Sequence, residues 1–168
     1  MLKVSLLVLI LFASVLARAQ GGDDDCPVTL GTVGSLKDNN FARNSPWYGD
    51  ESLAALVPEK GVWRGMGRER NFRDKLWWWS QGYRPGMEKD FRVSGRRLDA
   101  ESPPPAISRP TNGYNDEIED PWYAMLVMVE FPDSGCWEIT GTYRGETLKI
   151  VVEVREWSAE MSGPQLDR

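Results

Sequence analysis

The chain has 168 residues, with 20 Lys+Arg against 25 Asp+Glu, two cysteines, eight tryptophans and no histidine. A net charge of −5 repels phosphate backbones and anionic lipid, so neither nucleic acid nor a membrane surface is an expected partner. Without histidine, Ser-His-Asp and Cys-His catalysis in their usual forms, His-ligated zinc and the commonest general base near neutral pH are excluded.

The first element in chain order is MLKVSLLVLILFASVLARAQ. One Lys, an apolar run from Val4 to Leu16 and the small-residue box Ala17-Arg18-Ala19 predict a secretory signal peptide over 1–19, too short for a comfortable membrane span. The expected mature chain starts at Gln20, is secreted or periplasmic and has no membrane span after cleavage. Losing Lys3 and Arg18 lowers the basic count from 20 to 18 against 25 acids, a mature net charge of −7. In an oxidising compartment, Cys26 and Cys136 are expected to form a disulfide rather than a metal site or a nucleophile. Closing a loop of 110 residues is worth up to roughly 4–5 kcal/mol in the chain-entropy model.

Short strands are expected at Val28–Leu30, Ser52–Val57 and Gly61–Arg64. Leu76–Gly82 and Asp90–Ser94 are expected to pair across Arg84-Pro85-Gly86, with Gly95 as a bulge or bend. Ser102-Pro-Pro-Pro-Ala106 predicts a rigid connector crossing from one sheet to the other, and 107–121 a long polar loop. Tyr123–Phe131 is a nearly unbroken apolar run, expected to be a central strand covered on both faces.

The clearest signal is GCWEITGTYRGETLKIVVEV, in which apolar and polar residues alternate on either side of Arg144-Gly145. A turn there makes Trp137 face Val152 and Ile139 face Ile150, with both apolar sets on one side; a one-residue slip would destroy this. About seven short strands and no amphipathic helix predict an all-β fold, an antiparallel immunoglobulin-like β-sandwich with long loops over 20–157, followed by a flexible tail at 158–168.

The pieces CPVTL (26–30), PWYG (46–49), KLWWW (75–79), SGRRLDAESPPP (94–105) and FPDSGCWEITG (131–141) resemble a family of uncharacterised secreted bacterial proteins. The last two strands also resemble the closing hairpin of immunoglobulin-like domains. The resemblance implies an extracytoplasmic location and this fold, carries no activity, and adds weight to a Cys26–Cys136 bond because both cysteines stand inside matching pieces.

No Walker loop, GxSxG or strand-borne GxGxxG is present. Carboxylates are the remaining route to catalysis, and a glycosidase would need two of them about 5–10 Å apart across a cleft. Asn112, Asn115, Asp116, Glu117, Glu119 and Asp120 offer oxygen ligands of the kind calcium accepts, but not at EF-hand spacing, so a solvated loop is expected. The basic stretches Arg64–Arg73 and Arg96-Arg97 are expected as solvated faces. No metal and no cofactor is expected.

The tryptophans leave two alternatives. In one, Trp78 joins Trp47 and Tyr48 in an exposed platform for a glycan or polypeptide. In the other, the one preferred, Trp63, Trp77, Trp79, Trp122 and Trp137 fill the core and Trp78 lies under the 107–121 loop. The expected function is a secreted, non-catalytic module that binds an unknown protein or glycan of the cell envelope, or has a structural role there. A carbohydrate-binding module is the alternative, and a carboxylate-based hydrolase a remote one.

Overall fold

The computed structural model describes residues 26–36, 45–64, 72–115 and 122–156. The expected signal peptide at 1–19 and tail at 158–168 lie outside them. The strands are β1 (Thr32–Val33), β2 (Pro46–Gly49), β3 (Ala54–Leu56), β4 (Val62–Trp63), β5 (Phe72–Trp79), β6 (Arg92–Arg97), β7 (Ala106–Ile107), β8 (Thr111–Asn115), β9 (Trp122–Phe131), β10 (Gly135–Tyr143) and β11 (Glu146–Val154). Seven of them, β2, β5, β6, β8, β9, β10 and β11, are four residues or longer. The chain is an all-β sandwich: one sheet runs β1-β2-β3-β5-β9-β7, with β8 also on β9, and the other runs β4-β11-β10-β6. Every pairing is antiparallel except β4 with β11.

The closing hairpin has the expected register, Trp137↔Val152, Ile139↔Ile150 and Gly141↔Leu148. Arg144 and Gly145 take φ of 51° and 91°, the double left-handed conformation whose twist matches the two strands. Trp137, Ile139, Tyr143, Ile150, Val152 and Val154 are buried. They meet Leu76, Trp78, Met125, Val127, Val129 and Phe131 of the larger sheet in one core.

The expected β5–β6 hairpin does not form. β5 pairs with β9 and β3, whereas β6 belongs to the other sheet and pairs with β10. The intervening segment crosses between the sheets because it carries its own anchors: Tyr83 and Phe91 are 2% and 0% exposed, more apolar surface than a tight turn could bury. Gly95 is no bulge either, since it stays in register opposite Ile139. A Cβ there would stand 2.6 Å from Pro105 Cγ, so the glycine makes room for the proline connector, which does cross from β6 in one sheet to β7 in the other.

β9 is central as expected, with β5 on one side and β7 and β8 on the other. Its outer face is closed only at its start, where Trp122 and Ala124 are buried, and Glu130 at its far end is exposed. Val28–Leu30 forms no strand. It still docks on β11, where the Thr29 amide donates to the Val151 carbonyl and the Val151 amide donates to Thr29 Oγ1, both at 2.8 Å. The Cys26–Cys136 disulfide, with Cα atoms 5.4 Å apart, holds this leading segment to β10.

Candidate binding groove

Alternation along β5 sends Leu76 and Trp78 into the inter-sheet core and Trp77 and Trp79 to the outer face. The expected core set is therefore inverted at this triplet. Trp78 is completely buried, packs against Phe91 at 5.3 Å between ring centroids, and lies under β10 rather than under residues 107–121, which are not the expected long loop because Thr111–Asn115 pair with β9 as β8. Trp77 and Trp79 are half-buried in a second cluster with Leu36, Trp47, Ala54 and Trp122. Trp47 is 1% exposed and meets Trp122 edge-on at 5.7 Å. Of the three platform residues, Trp78 and Trp47 thus present no stacking face, and Tyr48 alone is exposed, at 40%.

The concave surface lies elsewhere, where β3 leaves β5. The two strands pair only at Ala54↔Trp79 and Ala55↔Trp78; past Leu56 the chain turns at Pro58 toward β4 in the other sheet. β5 continues as far as Phe72 with β9 on its opposite side. The gap is a groove of about 860 Å3 whose lining includes Leu30, Val33, Leu56, Trp63, Asp74 and Trp77. Leu30 and Val33 are 63% and 61% exposed, so its rim is apolar.

Hydrogen bonds on β9 show which peptide groups of β5 face the groove. The Met128 amide donates to Ser108 Oγ and the Met128 carbonyl accepts from the Ser108 amide, both at 2.9 Å, so Met128 turns toward β7. Its neighbours Val127 and Val129 therefore turn toward β5, where they stand opposite Leu76 and Asp74. The peptide group of Lys75 then points the other way, into the groove, while that of Trp77 faces Leu56 at the end of β3. The Lys75 amide donates to Asp74 Oδ1 at 2.6 Å. Burial raises the Asp74 carboxyl above its ordinary value, opposed by this amide and by the Lys75 charge. The other acid of the groove, Glu59, sits on an exposed turn.

Other polar clusters maintain the fold. On the outer face of the smaller sheet, Glu138 is paired with Arg96 at 2.9 Å and Lys149 at 3.5 Å, and the Arg96 contact holds its carboxyl below the usual range. Arg97 bonds Asp99 at 2.6 Å and lies over the Trp137 ring. The Tyr83 hydroxyl stands 3.1 Å from Glu88 Oε2 and 3.3 Å from Asn112 Oδ1, and burial raises its phenol above the ordinary range. Among the described residues no group of three or more Cys, Asp or Glu could hold a metal ion. Asp116–Asp120 of the expected acidic loop lie outside them, as do residues 65–71 of the Arg64–Arg73 stretch.

Sequence reasoning missed Leu30, Val33 and Asp74. Two exposed aliphatics in LGTVG were the available signal, but the departure of β3 from β5 leaves no mark on either strand. Comparison of the chain with protein-family models, curated proteins and solved structures finds no match.

Proposed function

We propose that this is an extracytoplasmic, non-catalytic binding module whose partner is a protein of the cell envelope, received in the groove between β3 and β5. The observation that carries the reading is the groove where β5, before Trp77, has no described strand on its β3 side, beside exposed Leu30 and Val33, since a sheet edge with an apolar rim is a common place for a polypeptide partner. The disulfide supports an oxidising compartment. Among the described residues no helix is long and apolar enough to cross a membrane.

The test places a photo-crosslinking side chain at Val33 and, on the opposite sheet, at Thr147, in cells expressing the full chain. The reading expects one saturable protein adduct from position 33, absent from position 147 and lost on Leu56→Asp in a chain that still folds. Equal labelling from both positions would sink it.

A second reading, carbohydrate binding, has its own observation. Tyr114, 57% exposed, stands 6.4 Å from Tyr123 with the rings tilted by 38°, an aromatic pair on which a sugar can stack. It expects a saturable, sugar-specific response in a glycan panel that disappears in Tyr114→Ala; silence across the panel removes it.

A further inference from the structure

We infer that a second site, at the fork where β5 and β9 part, takes one carboxylate-bearing sugar ring, with the carboxylate on Arg84 and the ring against Trp79 and Tyr123. The inference goes beyond the groove between β3 and β5 and does not depend on what occupies it.

The fork is built by local chemistry. The β5–β9 ladder ends at Trp78↔Met125, and no backbone hydrogen bond joins Ser80 to Tyr123 beyond it. The chain leaving β5 is turned away at Gly82, whose φ of 75° suits the third position of a tight turn, closed by the Tyr83 amide donating to the Ser80 carbonyl at 3.1 Å. Tyr83, 2% exposed, anchors that turn, while β9 extends back to Trp122 beside β8. The space between them is a cavity of about 250 Å3 walled by Trp79, Tyr83, Trp122 and Tyr123. Pockets that enclose drug-sized ligands run to roughly 300–1,000 Å3, so this one has room for a single ring.

Two polar groups give the cavity its selectivity. Ser80 lines it and is 6% exposed, yet its hydroxyl makes no hydrogen bond to a described residue, although buried hydroxyls nearly always find one. It is not sealed in the interior as the Tyr143 hydroxyl is, and the cavity is what it faces. Arg84, exposed at the mouth, donates through Nη1 to the Tyr83 carbonyl at 2.7 Å. This leaves Nε and Nη2, the edge that takes a carboxylate through two parallel bonds, and Arg84 is in no salt bridge with a described residue. The nearest acid in sequence, Glu88, accepts instead from the Tyr83 hydroxyl at 3.1 Å and the Gly86 amide at 2.7 Å.

These groups select the ligand class. Aromatic walls favour a ring with an apolar face, and the guanidinium favours an anion. A plain aromatic carboxylate meets both conditions but leaves the Ser80 hydroxyl desolvated and unpaired, whereas a sugar hydroxyl can bond it. A hexuronate supplies all three. Tyr123 also stands against Tyr114, so a glycan chain ending in the cavity would pass over that exposed ring.

The test titrates galacturonate and glucuronate, their neutral counterparts galactose and glucose, benzoate, and a galacturonate trisaccharide into the full, disulfide-bonded chain, and follows amide shifts residue by residue. A hexuronate is expected to saturate a response at Ser80, Gly82 and Tyr123, with the neutral sugars and benzoate binding roughly tenfold more weakly or worse. Arg84→Gln weakens the hexuronate roughly tenfold and Ser80→Ala roughly fivefold, with the amide shifts of the β10–β11 hairpin unchanged to show that the variants fold. The trisaccharide separates the sources: a gain in affinity that Tyr114→Ala removes assigns the site to the end of a glycan, and an affinity equal to that of the single ring assigns it to the free sugar.

Neutral sugars binding as tightly as the hexuronates, or hexuronate binding undisturbed by Arg84→Gln, overturns the anion site. Benzoate binding as tightly as a hexuronate overturns the sugar assignment. A sugar response lost in Tyr114→Ala but kept in Arg84→Gln leaves stacking on the Tyr114–Tyr123 pair and removes this inference. Silence at Ser80, Gly82 and Tyr123 with every probe overturns the site as a whole and leaves the groove reading where it stood.

Discussion

Trp78 and Gly141 meet across the two sheets: a Cβ built on Gly141 would stand 2.6 Å from Trp78 Cη2. The glycine is therefore the recess that admits the Trp78 indole. Gly141→Ala is expected to destabilise by about 1–3 kcal/mol through overpacking, and Trp78→Ala by about 3–5 kcal/mol through the cavity it leaves. Trp78→Phe combined with Gly141→Ala should cost less than the sum of Trp78→Phe alone and Gly141→Ala alone, because the smaller ring vacates the space the methyl needs. Urea denaturation of the four chains measures this, and strict additivity would show that the two residues do not share the site.

Replacing both Cys26 and Cys136 by Ser is expected to lower stability by about 2–5 kcal/mol, because 110 residues separate them. The loss should concentrate in the leading segment. Exchange at Thr29 and Val151, whose mutual hydrogen bonds depend on that segment being docked, should accelerate more than exchange at Ile139 and Ile150.

The acid limb of stability follows from three depressed carboxylates and one raised one. Hydrogen bonds from Arg97 and Arg96 lower the Asp99 and Glu138 carboxyls, and backbone hydrogen bonding lowers Glu88. Each contributes stability at neutral pH that is lost as pH falls below about 4 toward its folded value. Asp74 has the opposite sign. Its carboxyl is raised by burial, so the folded chain holds that proton more tightly and gains stability as pH drops through the raised value. The urea midpoint should decline between about pH 5 and 3. Arg97→Gln should flatten the decline and Asp74→Asn should steepen it.

Native tryptophan emission should be mainly blue-shifted, because Trp47, Trp63, Trp78 and Trp137 are at most 3% exposed. Among the described tryptophans, the acrylamide-quenchable part should come from the half-buried Trp77 and Trp79. Trp79→Phe should diminish that part and Trp78→Phe should leave it intact. The reverse would place Trp78 at the surface and invert the facing of β5.

Legibility in the sequence followed the locality of each decision. The β10–β11 hairpin was fully readable because two alternating runs and an Arg-Gly turn leave one register that buries both apolar sets. The tryptophan triplet was not, because both faces of the larger sheet are apolar around β5. Parity placed Trp77 and Trp79 together but did not say which face was the inner one. Among the candidate site residues, Tyr48 is exposed and Trp47 and Trp78 are not, since composition shows which rings can stack but not which of them remain uncovered.

By itself the sequence determined the all-β class, the positions of β9, β10 and β11, the final hairpin with its register, and a cysteine pair suited to a disulfide, since short-range alternation, turn chemistry and cysteine count carry these. Only the tertiary structure decided that β5 and β6 lie in different sheets, that Trp78 points at Gly141, and that β3 leaves β5 to open a groove beside Leu30, Val33 and Asp74. Those outcomes depend on which distant strands bury each other's faces, a competition among long-range pairings that no local stretch of the chain records.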